Sequence, residues 1–444
     1  MKAHRAARYA AAFTAFIFAS CATMADYDFS GINSALFSGN YDAAYEMLEA
    51  DSSLLYSEHD DVLYALDKGM LSHYAGDYKR SNTELAEAER KIFDNFSKSI
   101  TQSISSFLVN DTVIDYAGET FEDIYTNLFM ALNYLNQDDT EGAFVEIRRF
   151  DNKLKTVSAQ YADLIAEANK ENQANGSATL PADTMEFHNS ALARYLSLIM
   201  YRGAGKLDSA EIDRKYIRSA FQLQPNLYPF AVPSCIAEEF SVPDGMARLN
   251  VVAFSGKAPV KTEEVTRLGT ADASFYYKLA LPVMNKQFSA VSSITVSAVS
   301  ADGTVAVSEQ LEKIESIENI AVETFSQKQA LLYLKAVARS IAKSAATSTW
   351  GVLSDSADDD NVSMFFSLMQ VVSAVTTEAT ERADVRVSRY FPATASVAGL
   401  TVPPGDYTVS VSYKNKEGKI ISQDEFSVAV KTSSINLVES VCLR

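Results

Sequence analysis

The stretch LYALDKGMLSHYAGDYKRSNTELAEAERKIFDNF, residues 63–96, decides how the first half of the chain folds. Leu63, Leu66, Met70, Leu71 and Tyr74 recur at the spacing that places them on one helical face, and Leu85, Ala88, Ile92 and Phe96 continue the same period after Gly76-Asp77-Tyr78. So short a break between two amphipathic runs is a turn, and the two helices must lie antiparallel.

The arrangement recurs on either side. Upstream, Leu36, Gly39 and Tyr41 mark a turn that leads to Ala44, Met47 and Leu48. Downstream, Phe121, Ile124, Leu128, Leu132 and Leu135 form a stripe, Asp138-Asp139 turns, and Ala143, Phe144, Ile147, Phe150 and Leu154 follow. A fourth pair runs from His188 through Tyr195 and Ile199, over Gly205-Lys206-Leu207-Asp208, to Ala210, Ile217 and Phe221. Ser38-Gly39-Asn40-Tyr41-Asp42-Ala43-Ala44 and Tyr74-Ala75-Gly76-Asp77-Tyr78 resemble the Gly-x-Tyr-x-x-Ala turn of tetratricopeptide repeats, where small residues let two helices approach and the tyrosine fills the groove between repeats. The turns are unevenly spaced, so the expectation is a degenerate repeat array, with a non-repetitive helical bundle as the alternative. Within 165–184, Asn172, Asn175, Gly176, Ser177 and Pro181 read as a polar surface loop.

Gln224-Pro225 and Pro229 to Pro233 end the helical half. From Met246 the period becomes two: Arg248 to Phe254, Phe275 to Val283, Ser292 to Val299 and Thr304 to Glu309 read as strands, with Asp302-Gly303 as a hairpin turn. Helices are expected near 317–343 and 362–382. The second of these holds Phe365, Phe366, Leu368, Met369, Val371 and Val372; its serines, threonines and Gln370 favour a buried helix over membrane contact. The tail, with Tyr407, Val409, Val411 and Tyr413 on one side of a strand, resembles the last hairpins of an immunoglobulin-like sandwich. The expected fold is α+β: a helical, tetratricopeptide-like domain over 31–228, then a mixed β-rich domain over 240–444 with two inserted helices.

The composition is globular, with 47% hydrophobic and 22% charged residues, and the formal charge is -18. Lys2, Arg5 and Arg8 precede the apolar run Tyr9 to Ala19, which is shorter than the roughly 20 apolar residues that span a bilayer. This order reads as a signal peptide over 1–20. Phe18-Ala19-Ser20-Cys21 resembles a bacterial lipobox in the relaxed form of spirochaetes, with Phe18 in place of the usual Leu. The resemblance implies that Cys21 carries fatty-acyl chains of the palmitate type, that 21–30 is a tether, and that the protein is exported and membrane-anchored in the cell envelope, at the outer membrane or the periplasmic face. A plain signal cut after Ala25 is the alternative. Removing the three leader cations takes the charge to -21, which argues against nucleic acid or anionic lipid headgroups as broad partners. Cys235 and Cys442 remain, and both an end-to-end disulfide and two isolated thiols are open readings.

Chemistry is thinly marked. Asp355, Asp358, Asp359, Asp360 and Asn361 lack the order of a calcium loop, and His59, His73 and His188 have no zinc-ligand spacing. Glu119 with Glu122, or Asp384 with Arg386, could be catalytic pairs, but helix-start carboxylates and structural ion pairs account for the same residues. No G-x-S-x-G, P-loop or Rossmann fingerprint is present. No catalytic residue, metal or cofactor is therefore assigned. In order, Gly76-Asp77-Tyr78, Tyr116-x-Gly118-Glu119-x-Phe121-Glu122, Ala131-Leu132-Asn133-Tyr134-Leu135, Arg148-Arg149, Ile320-Ala321-x-x-Thr324, Ala336-Val337-Ala338-Arg339 and Ala383-Asp384-Val385-Arg386 are similar to a family of poorly characterised bacterial envelope proteins with tetratricopeptide-like repeats. Ser388 stands where that family often has tryptophan. The resemblance implies export and often lipidation, and brings no activity with it. The expected function is non-catalytic binding or scaffolding of a protein partner in the envelope. Tyr74, Tyr78, Tyr116, Tyr125, Tyr134, Arg148 and Arg149 are the candidates for the concave face, since tyrosine and arginine dominate interfaces. A small or lipidic ligand held between the domains, and an envelope hydrolase, are the alternatives.

Overall fold

The structure, a computed structural model, describes residues 28–101, 114–174, 185–269, 276–328 and 383–444. Among the described residues the first half forms four antiparallel helical hairpins: α1 (Ser30–Phe37) with α2 (Tyr41–Ala50), α4 (Asp61–Tyr74) with α5 (Tyr78–Thr101), α6 (Thr120–Leu135) with α7 (Thr140–Ala174), and α8 (Ala191–Gly203) with α9 (Leu207–Leu223). The single turn α3 (Ser52–Leu55) links the first two hairpins.

All four hairpins turn in the same way. Gly39, Gly76, Asp138 and Gly205 each adopt a left-handed conformation, with φ of 79°, 79°, 59° and 71°. In each turn the next residue's N–H reaches back past the helix end: Asn40 to the Ala35 carbonyl, Asp77 to Ser72, Asp139 to Tyr134 and Lys206 to Tyr201. This closure satisfies carbonyls that a helix C-terminus leaves open. In three hairpins that same residue then caps the following helix, because Asn40, Asp77 and Asp139 accept the N–H of Ala43, Arg80 and Gly142. Close approach within a hairpin comes from glycine: a Cβ on Gly69 would lie 2.5 Å from Leu85, and one on Gly142 2.7 Å from the Tyr134 ring.

The second half is built of strands. After the short helix α10 (Cys235–Glu238) come β1 (Ala247–Lys257), β2 (Val260–Gly269), β3 (Tyr276–Asn285), β4 (Ser293–Ser300), β5 (Ala306–Gln310), β6 (Glu312–Ser316), β7 (Pro392–Val402), β8 (Gly405–Lys414), β9 (Ile420–Val430) and β10 (Asn436–Cys442). One sheet has the order β10-β1-β7-β6, with β1 and β10 parallel; a second has the order β5-β4-β8-β9; β2 and β3 form a separate two-stranded ribbon. The two four-stranded sheets pack face to face over Leu249, Val251, Val296, Leu400, Val409 and Val411.

The other face of the first sheet packs on the helices, so that Val252, Phe254, Ala395 and Val397 share one hydrophobic cluster with Leu66, Phe129 and Leu196. The layers are helices, then sheet, then sheet. A middle layer buried on both faces has no reason to alternate. Accordingly β1 and β7 are buried along almost their whole length, whereas β8 alternates between exposed and buried positions.

The expected α+β class is the observed one, with helices in the N-terminal half and sheets in the C-terminal half. Three strands lack the sequence signal that marks the others. β7, PATASVAGLTV, is small-residue rich and buried on both sides; β6, EKIES, is charged; β2 is polar. Residues 165–174, expected as loop, extend α7 instead, since Leu164 to Lys170 are mostly good helix formers. Of the helix expected near 317–343, residues 317–328 are helical; the helix near 362–382, the acidic stretch at 355–361 and the N-terminal lipobox lie outside the described residues.

Candidate functional site

The seam between the helical hairpins and the first sheet gathers many of the buried polar groups, among them Asp67, His73, Glu122 and Glu315. Its organising element is β10. Ile435, just before it, lies against Gly203 of the fourth hairpin, where a Cβ would come within 2.7 Å of the isoleucine side chain. Glu439 receives the Asn136 amide of the third hairpin at 2.9 Å and pairs with His73 of the second at 2.6 Å. In the first hairpin Tyr41 donates to the Val441 carbonyl at 3.2 Å, and Arg444 Nε to Phe37 O at 2.8 Å. The C-terminal strand thus crosses the turn ends of all four hairpins, as an extended peptide would lie along a repeat array.

Further along the seam, Tyr74 donates to the Tyr390 carbonyl at 2.7 Å. Asp67 accepts Tyr56 Oη, Ser388 Oγ and the Arg389 N–H, all within 2.9 Å, and burial pushes its carboxyl up from the usual range. Glu122 is fully buried, accepts Tyr116 Oη and the Glu119 N–H at 2.7 Å, and receives the Ser388 N–H. Burial, and then the neighbouring Glu119 charge, push it up to about 7. Burial works against the charge of Glu119 too, but Lys261 Nζ at 2.6 Å and Lys328 Nζ at 3.1 Å outweigh it and hold that carboxyl below its ordinary value. Asp384, desolvated but facing Lys261 and chelating Arg386, is held down to about 2. Arg386 also reaches Asp60 at 3.3 Å, which fastens this segment to the start of α4.

Two more buried knots join the halves. Glu315 of β6 accepts Tyr125 Oη at 2.5 Å, Ser190 Oγ at 2.7 Å, Tyr228 Oη at 2.9 Å and the Leu192 N–H at 3.0 Å. The last of these sits in the first turn of α8, where a negative charge is favoured. At the other knot Glu239 pairs with Arg248 at 3.0 Å and with Arg202 at 2.7 Å. The Arg248 guanidinium fills the space above Gly399, so a Cβ there would fall 2.4 Å from it.

The seven residues chosen as a partner-binding face distribute differently from a single face. Tyr116 and Tyr125 are 2% and 0% exposed and offer no surface. Tyr74 and Tyr78 are half-buried around His73, and Tyr134 is half-buried against Gly142. Arg149 is exposed but tied to Glu146 and Glu89, and Arg148 is exposed. Tyr74 and Tyr125 hydrogen-bond to the chain's own second half, at Tyr390 and Glu315. Ser388, whose hydroxyl and N–H serve two buried carboxylates, and Glu315 carry no signal in the sequence that marks them as seam residues; the periodicity that located the helices says nothing of what lies across them.

Cys235 and Cys442 are both free and buried, so the end-to-end bridge is not formed. Cys235 belongs to the core shared with the helices and Cys442 to the core between the sheets. Burial raises both thiols. Among the described residues, no group of three or more His, Cys, Asp or Glu side chains could hold a metal ion, and no helix is long and apolar enough to cross a membrane.

What stays open is on the surface. Along α9, the last helix of the array, Ile212, Tyr216 and Leu223 are 53%, 48% and 63% exposed. At 100° per residue these three fall on one flank of the helix, with Asp208 and Lys215 exposed along its edge. A cleft of about 350 Å³ opens between the two sheets beside Phe230. No protein-family model matches the chain, and no curated protein matches it.

Proposed function

We propose that the chain is an exported lipoprotein, anchored through Cys21, that acts without catalysis as a binding or scaffolding protein in the cell envelope, and that the outer flank of α9 is the face it offers a protein partner. The observation that carries this reading is the uncovered apolar flank Ile212, Tyr216 and Leu223 at the end of the hairpin array. Terminal repeats in stacked architectures are polar on their outer side when nothing covers them, and a clustered apolar flank there marks an interaction site. The exposed Lys215 and Asp208 at its edge suit a partner segment with charges of both signs beside its apolar residues, and the Arg194 guanidinium 4.6 Å from the Tyr216 ring centre steadies that ring. The anchor rests on the basic, apolar and small residues of 1–20 and on Cys21. Glu119 and Glu122, the carboxylates a hydrolase would need, are engaged with Lys261, Lys328, Tyr116 and backbone, which supports the non-catalytic reading.

The test is affinity capture from detergent-solubilised envelope with the full chain, compared with Tyr216→Asp/Leu223→Asp and with Cys21→Ala. The double variant should keep its unfolding temperature and its membrane fraction while losing a specific captured protein. Cys21→Ala should move to the soluble fraction, because acyl chains at roughly 0.8 kcal/mol per buried methylene supply the anchoring. Capture that is unchanged in the double variant would overturn the assignment of the face, and membrane retention of Cys21→Ala would overturn the anchor.

A further inference from the structure

The inward side of the first sheet changes character along its length. On β1 the residues that face the opposite sheet run Leu249, Val251, Ala253, and the next in that alternation is Ser255; on β7 they run Val402, Leu400, Ala398, followed by Ser396 and Thr394. Ser255 and Thr394 are register partners, with their side-chain oxygens 2.8 Å apart. Hydroxyls at positions that strand alternation assigns to a core are costly unless they are used. Here they line the 350 Å³ cleft at the mouth of the sandwich, with Phe230 on one wall and Gln310 and Lys313 at the rim.

We propose that this cleft binds a neutral saccharide of one or two rings. Its volume lies at the small end of the ~300–1,000 Å³ range of ligand sites. Each hydroxyl can donate once and accept twice; Thr394 Oγ1 also reaches the Ser255 carbonyl at 3.3 Å, so the Ser255–Thr394 pair is left with acceptors, while both donors and acceptors remain on Ser396 and the Gln310 amide. A ligand that is itself a set of hydroxyls meets that mixture better than an acyl chain or an anion does. The flanking charges are of both signs, since Lys313, Glu312 and Glu318 all border the cleft, and Glu312 is engaged with the Ser234 N–H and Oγ at 2.7 and 2.6 Å. They give no preference for net charge. Phe230 supplies an apolar wall for the C–H groups of a sugar.

The experiment is saturation-transfer NMR on the full chain with a panel of neutral hexoses, N-acetylhexosamines and their disaccharides, followed by titration of whichever responds. Binding of at least one panel member is expected, weakened roughly three- to tenfold by Ser396→Ala and by Thr394→Val, the loss of one hydrogen bond each. Ser396→Ala places an apolar atom at an inward position, so its unfolding temperature should hold or rise, whereas Thr394→Val also takes the partner from the buried Ser255 hydroxyl and should lower the unfolding temperature. Gln310→Ala at the exposed rim gives the same readout should either core variant fail to fold. Absence of transfer to every panel member, affinity unchanged in the variants, or tighter binding of an acyl or anionic probe in the same cleft would overturn the proposal. The α9 double variant should bind the sugar normally, which separates this site from the partner face.

Discussion

His73 Nε2 lies 2.6 Å from Glu439 Oε1, joining residues 366 apart in sequence, while His73 Nδ1 lies 2.6 Å from Asn133 Oδ1. The Asn133 amide nitrogen is committed to Ser81 Oγ and Asn82 Oδ1, so its oxygen must be the atom that faces the ring. Both ring nitrogens therefore donate, and the imidazole is held as imidazolium. Burial works against that charge, but Glu439 and the Asn133 hydrogen bond outweigh it and raise the pKa. A group whose folded pKa is raised contributes stability that is complete below the unfolded value, about 6.5, and is lost as pH rises through the folded value. His73→Gln should lower stability at pH 6 by on the order of 3 kcal/mol and remove this alkaline loss, as read by urea unfolding at pH 6 and pH 9. An unfolding midpoint in His73→Gln that shifts between those pH values as much as in wild type would contradict the imidazolium assignment.

Glu122 adds a second titration with the same sign. Its folded pKa of about 7 exceeds the ordinary 4.5, so its contribution is complete below about 4.5 and disappears as pH rises through 7. Glu122→Gln should flatten the fall in stability between pH 5 and pH 7, while destabilising at all pH values by about 1–3 kcal/mol, because the new amide faces the donors Tyr116 Oη and the N–H groups of Glu119 and Ser388. Denaturant midpoints at several pH values check both parts.

The helical half was legible because its period, its glycine turns and its caps all point to one answer. The four hairpins fall where Leu63 to Phe96 and its counterparts place them. β7 was not legible, since a strand buried on both faces loses the alternation by which strands are recognised, and Pro392 to Val402 offers mostly Ala, Ser, Thr and Val. The seam was hidden for a different reason. Tyr74, Tyr116 and Tyr125 read as interface residues, and they do lie at an interface, but the surface across from them belongs to the same chain. Periodicity reports that a face is covered without reporting what covers it.

Asp138 holds the turn position that glycine holds in the other three hairpins, at φ 59°. A left-handed conformation costs an L-residue roughly 1–2 kcal/mol, less for Asp, and glycine gives back about 0.4–1 kcal/mol through the freer unfolded chain. Asp138→Gly should therefore stabilise by about 0.5 kcal/mol. The mirror experiment adds no clash: nothing lies within 4 Å of a Cβ built on Gly76, so Gly76→Ala reads backbone strain less the unfolded-chain gain and should cost about 1 kcal/mol. Thermal unfolding of the two variants should shift in opposite directions; shifts of the same sign would show that the turns are not equivalent.

Glu315 tests whether the halves are bound into one cooperative unit. Its carboxylate takes donors from α6 (Tyr125), from the start of α8 (the N-cap Ser190 and Leu192) and from Tyr228, while its backbone belongs to β6 on the edge of the first sheet. Tyr125→Phe removes one donor, and the remaining bonds hold the carboxylate, so a loss of about 1 kcal/mol is expected. Glu315→Gln turns one end of the group into a donor that faces donors, and should cost on the order of 2–3 kcal/mol. Because the two residues share a network, the double variant should lose less than the sum of the single losses. Hydrogen exchange read by mass spectrometry locates the effect. In Glu315→Gln, protection should fall together at the start of α8 and along β6 and β7, since the first turn of a helix and the edge of a sheet are released by the same missing bonds. Loss of protection confined to α8, with β6 and β7 unchanged, would mean that the apolar seam alone couples the two layers and that Glu315 merely caps a helix.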